Sequence, residues 1–135
     1  MNKPKSIPFN FVLEYLSGEE LLIRPMFGCH AVYTRGKIVL ILRHKNDFPN
    51  DNGVWLATTK EHHTSLKYDF PSMRSISLFG DGSSAWQNIP EEADDFEEAV
   101  MKACELILKG DLRIGKIPKL KKGKVVKKSG TKTRK

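Results

Sequence analysis

Apolar positions along this chain fall into short runs of two kinds, one spaced for helices and one for strands. Phe9, Val12, Leu13 and Leu16 recur at the spacing of one helical face, Pro8 suits a first turn behind a Ser6 cap, and Gly18 supplies a stop. Phe11 and Tyr15 widen that stripe, so an N-terminal helix is predicted to lie on something broad, such as a sheet. Residues 21–27 are apolar with Pro25 among them; proline has no N–H to give a ladder, which places this run at a sheet edge or a bend. Gly28 stands where a strand interior wants a side chain and predicts a bulge or a close backbone approach.

Residues 24–42 read as a β-hairpin, the spine of the chain. For its connection a three-residue loop with Gly36 at positive φ is predicted, because a two-residue type I′ turn would force Arg35 into the same region. Alternation then sends Ile38, Leu40 and Leu42 to one face and Val39 and Ile41 to the other. A strand apolar on both faces is central and needs two covers, the second expected from a short helix and loops or from another subunit. After a polar loop at 43–53, residues 54–57 return as a strand. Thr58 and Glu61 have capping-box spacing for a short helix to about Tyr68. Residues 74–79 alternate as a half-buried strand, 80–84 turn, and 85–89 form another strand holding Trp86. The longest helix runs from Asp94 or Asp95 to Lys109, with acids in its first turn, a capping-box pair in Asp95 and Glu98, Gly110 past its end, and a stripe of Phe96, Ala99, Val100, Ala103, Cys104 and Ile107. Leu112, Ile114 and Ile117 offer further docking points. These elements make an α+β fold, with an antiparallel sheet of five or six strands and the N- and C-terminal helices packed on one face.

Composition changes this picture in one respect. Of the 23 Lys and Arg, nine lie in residues 119–135, which contain none of the 16 acids; residues 1–118 hold 14 basic against 16 acidic residues. The net charge of +7 therefore belongs to an appendage, and the expected organisation is one domain over 1–118 followed by a basic tail over 119–135 too poor in apolar residues to fold alone. Lys119, Lys121, Lys122, Lys124, Lys127, Lys128, Lys132, Arg134 and Lys135 are the candidate contacts to nucleic acid, which such a segment binds without reading sequence. No apolar run approaches a membrane span and no signal-peptide pattern opens the chain, so a cytoplasmic protein is expected.

The candidate chemistry is sparse. Cys29 and Cys104 show no framework spacing, and buried thiols are expected. Neighbours Cys29 and His30 in a strand point to opposite faces, and His62 and His63 diverge on a helix, so neither pair suggests a nucleophile with its base or a metal site. Acids at 91–98 suit a helix start. Gly80-Asp81-Gly82 lacks the parts of a phosphate loop. No catalytic residue, metal or cofactor is assigned; a ligand pocket near Cys29, His30 and Trp55 stands as an alternative.

The order of parts carries a resemblance. Arg24, Met26, Phe27 and Gly28, then Val32, Tyr33, Gly36 and Lys37, then Ile89, Pro90, Glu91 and Glu92 follow one another as in the amino-terminal domain of the TfoX (Sxy) family of bacterial competence regulators, which the chain resembles over roughly 8–109. Cys29 stands where that family commonly repeats glycine, and the basic segment stands in place of its helical carboxy-terminal domain. The resemblance implies helices against an antiparallel sheet and a non-enzymatic regulatory or interaction role. Arg24, Met26, Phe27 and Gly28 are accordingly the candidate partner-binding residues; a protein partner, a homodimer and non-specific nucleic acid through the tail are the expected classes of contact.

Overall fold

The computed structural model describes residues 7–78, 80 and 84–117; the basic residues from Lys119 to Lys135 lie outside the described residues, as do Ser6, Phe79 and most of the 80–84 turn. Six antiparallel strands form one sheet in the order β1-β2-β3-β4-β6-β5, from β1 (Leu21–Met26), β2 (Cys29–Thr34), β3 (Lys37–Arg43), β4 (Gly53–Leu56), β5 (Arg74–Ser75) and β6 (Gln87–Pro90). Among the described residues three α-helices, α1 (Phe11–Tyr15), α2 (His63–Asp69) and α3 (Phe96–Leu108), complete an α+β fold. Among the described residues no helix is long and apolar enough to cross a membrane.

All three helices contribute to the core on the first face of the sheet. Val12 and Leu16 beside α1, Leu66 and Phe70 at α2, and Val100, Ala103, Cys104 and Ile107 of α3 pack with Val32, Leu40, Leu42, Val54, Leu56 and Ile89. The stripe read along α3 is the stripe it buries. Its end follows from Gly110 at φ 80, which lets the Gly110 and Asp111 amides turn back to the Ile107 and Leu106 carbonyls at 3.0 and 2.9 Å. Beyond it, Ile114 enters the core, and Lys116 exchanges backbone bonds of 2.9 Å with Ile38, occupying the place beside β3 that β4 vacates after Leu56. Arg113 secures this return by pairing with Asp69 and Asp111 at 2.9 Å each, and the hydrogen bonds it gives hold both carboxyls below their usual range. Leu112 and Ile117, by contrast, stay exposed.

Several expectations are corrected. Arg35 and Gly36 form a two-residue connection, with Thr34 opposite Lys37 and both turn residues at positive φ (56° and 77°). A left-handed arginine costs roughly 1–2 kcal/mol, and tertiary contacts offset it: its guanidinium grips the Glu19 carboxylate at 2.6 and 2.9 Å and donates to the Leu108 carbonyl at the end of α3 at 3.2 Å. Alternation along β3 is broken by a bulge, since Val32 opposes Leu40 and Tyr33 opposes Ile38, leaving Val39 extra. Val39, Leu40 and Leu42 consequently face the first core, and Ile38 and Ile41 face the second.

The second face is covered by Ile76, Leu78 and Trp86, over Ile38, Ile41, Trp55 and Ala57; the short helix, expected there, packs on the first face instead. The strand expected over 74–79 ends at Ser75, because the buried Asp51 carboxylate accepts from the Ser77 amide (2.9 and 3.1 Å), the Ser77 hydroxyl (3.2 Å) and the Leu78 amide (2.7 Å), drawing the chain out of the ladder and over the sheet. Neither capping box forms: the Thr58 hydroxyl donates to the Thr59 carbonyl, and Asp95 accepts from Ser72. The first helix keeps only residues 11–15.

Candidate interaction surface

The first hairpin closes through Phe27 and Gly28, a two-residue turn between Met26 and Cys29 with both residues at positive φ (55° and 74°). This is the type I′ geometry that matches strand twist, and it needs glycine far more comfortably than phenylalanine. Gly28 is thus a turn residue rather than a bulge, and the Lys45 ammonium lies 2.5 Å from where a Cβ at that position would sit. Phe27 is no core side chain: it is 47% exposed at the tip, its ring 6.5 Å from that of buried Trp55, which itself lies 5.8 Å from Trp86. Met26 is half-buried against the second core, whereas Arg24 is exposed. The four residues singled out in the sequence therefore share one hairpin, Arg24 and Met26 on strand β1 at the rim of the sheet and Phe27 and Gly28 in its turn.

A neighbouring loop contributes to the same end of the fold. Arg43 closes β3 with only 1% of its surface exposed, and its guanidinium donates to the Phe48 and Asp47 carbonyls at 2.9 and 3.0 Å, to Asn52 Oδ1 at 2.8 Å and to Asp47 Oδ1 at 3.1 Å. Asn52 then clamps Lys45 through its amide and carbonyl, both at 2.9 Å. A long polar loop is thereby fixed, holding Phe48 at φ 46 with 46% of its surface exposed. Sequence reasoning missed Phe48, Arg43 and Asn52; a Phe-Pro step inside a polar loop was the one visible signal, and it does not distinguish display from burial.

The other candidates are occupied structurally. The Cys29 thiol is buried, its pKa raised by that burial, and it donates to the Phe27 carbonyl at 3.3 Å; the Cys104 thiol is pushed up to about 12 by burial. Cys29 joins the second core while His30 points to the other side of the strand. Trp55 is buried and its indole nitrogen donates to the Asp51 carbonyl at 2.8 Å. His62 pairs with Glu61 at 3.3 Å and His63 with the Ala85 carbonyl at 3.0 Å, in separate directions. Glu91 binds His44 at 2.8 Å, and Glu92 binds Arg74 at 3.2 Å. Among the described residues no group of three or more His, Cys, Asp or Glu side chains is placed to hold a metal ion.

At the opposite end of β1 an open groove of about 600 Å³ is lined by Glu19, Glu20, Leu21, Leu22, Tyr33 and Arg35. Strand β1 thus runs between this groove and the hairpin tip, and among the described residues no strand pairs with its outer side. The chain matches no protein-family model, no curated protein and no solved structure.

Proposed function

We propose that this chain is a non-enzymatic interaction module of regulatory character, resembling the TfoX amino-terminal domain, which meets a protein partner through the tip of its first hairpin. The observation that carries this reading is Phe27. A phenylalanine held in the left-handed region costs roughly 1–2 kcal/mol that an asparagine or glycine would largely spare, and the residue is 47% exposed. Aromatic side chains are enriched at protein interfaces, as is arginine, and Arg24 lies on the same hairpin. Phe48 repeats the arrangement on the adjoining loop. Both cysteines are buried, His63 bonds a backbone carbonyl, and His44 and His62 pair with separate surface carboxylates, so these groups do not converge on one site, which favours recognition over reaction.

Comparing retention of a co-purified partner by the full chain and by Phe27→Asn tests this reading. Asparagine tolerates the left-handed turn, so the fold is retained while the ring is removed. Partner capture is expected to fall at least tenfold with an unchanged circular dichroism spectrum; equal capture by the variant defeats the reading.

The Lys-rich segment favours a second, additional contact. Nine positive charges without an acid give residues 119–135 the composition of a non-specific polyanion binder, separate in the chain from the hairpin.

A further inference from the structure

We propose that the free edge of β1 joins two copies of this chain, as an antiparallel pair of β1 strands centred on Leu22. The argument starts from the phase of the hairpin. A two-residue turn makes Met26 and Cys29 a hydrogen-bonded pair, so Arg24 with Ala31 and Leu22 with Tyr33 also direct their backbone groups inward to β2. Leu21, Ile23 and Pro25 direct theirs to the outer side of the sheet, which no strand among the described residues occupies. Pro25 has no N–H to offer, so the pairing edge is short and its outward donors are those of Leu21 and Ile23.

A twofold axis at Leu22 sets Leu21 of one copy opposite Ile23 of the other, and each such pair exchanges both backbone bonds. The same register decides the side chains. Met26 faces the second core, so Leu22 and Arg24 share that face, and Glu20 continues it. Leu22, 49% exposed, meets its own counterpart at the axis, and Glu20 of each copy lies opposite Arg24 of the other. Both charges are exposed, and among the described residues neither has an ion pair or a hydrogen bond to a side chain. Moving the axis to Ile23 places Arg24 against Leu22 and leaves both charges unmatched. Charge complementarity and backbone matching therefore select one register, and a second copy of the chain is the occupant that satisfies both. The association is isologous and limited by Pro25 to a few residues, in the weak class of interfaces.

Sedimentation equilibrium of the full chain up to sub-millimolar concentration tests the proposal. The wild type is expected to show a monomer–dimer equilibrium. Arg24→Glu and Glu20→Arg, each placing like charges opposite one another twice, are expected to raise the dissociation constant by about tenfold, and the double variant with both exchanges is expected to recover most of that loss. Phe27→Asn, which leaves the edge intact, is expected to dimerise like the wild type, so failure of the hairpin-tip reading is separable from failure of this one. A wild type that stays monomeric throughout, a single variant that dimerises as well as the wild type, or a double variant no tighter than the single ones would overturn it.

Discussion

Asp51 is the residue on which the cover of the second face depends, and replacing it by alanine exposes how that cover is held. Its carboxylate, 2% exposed with the rest of the residue, accepts from two backbone amides and one hydroxyl in residues 77–78, while its carbonyl accepts the Trp55 indole. Asp51→Ala has two ways to respond. If the segment stays, two amides lose charged acceptors, at about 1–3 kcal/mol each. If it lifts, Ile76 leaves a site where it is 1% exposed, at about 1.5–3 kcal/mol, and Leu78 and Trp86 lose part of their burial. Both routes converge on a loss of roughly 3 kcal/mol. Urea denaturation followed by fluorescence measures the loss and distinguishes the routes, since both tryptophans of the chain, Trp55 and Trp86, lie in this cluster. Lifting shifts the native emission to the red and lowers the m value, because less surface remains to be exposed on unfolding. Staying does neither. Asp51→Asn keeps one acceptor oxygen for Ser77 but turns an amide toward one of the remaining donors, so a loss of about half that size is expected. A loss under about 1 kcal/mol for Asp51→Ala, with unchanged emission, would refute the claim that this carboxylate draws the chain out of β5.

Two further outcomes follow from the charge arrangement. Asp69 and Asp111 are held below their usual carboxylate range by hydrogen bonds from Arg113; a depressed folded-state pKa contributes stability above the unfolded value, near 4, that disappears as pH falls through the folded value. Arg113→Gln is therefore expected to flatten the acid limb of stability against pH below about pH 4, read by thermal melts at several pH values, and an unaltered acid limb would contradict the assignment. Deleting residues 119–135 is expected to abolish non-specific duplex binding in gel-shift titrations; if about six of the cations engage phosphates, the full chain should show log K falling with log salt at a slope near −5. Binding that survives the deletion would place the contact on the folded part.

The wrong expectations share a cause. Periodicity found the two-faced β3 and the stripe of α3, and Pro25 put β1 at an edge or a bend, because apolar spacing and a missing N–H are properties of neighbouring residues alone. Such local reading failed at Arg35 and Phe27, where local preference disfavours the left-handed region. Glu19 and the end of α3 offset that preference at Arg35, at a sequence distance no local rule spans. It failed at Val39 for a related reason: a bulge changes which face every preceding residue takes, while the run of aliphatic residues reads the same with or without it.

The candidate surface divides in the same way. Arg24, Met26, Phe27 and Gly28 were legible as a group through their order in the chain, but a Met-Phe-Gly step looks alike whether its aromatic ring is buried or displayed. Only the turn geometry put Phe27 at a tip and made Gly28 a turn residue. Likewise, that the positive charge resides in 119–135, apart from a nearly neutral 1–118, is a fact of the sequence alone. Which face of the sheet each helix covers, and which segment closes the second face, were decided by tertiary contacts. Asp51 reaches residues 77–78 and Arg113 reaches Asp69, and such long-range bonds leave no period in the chain from which to read them.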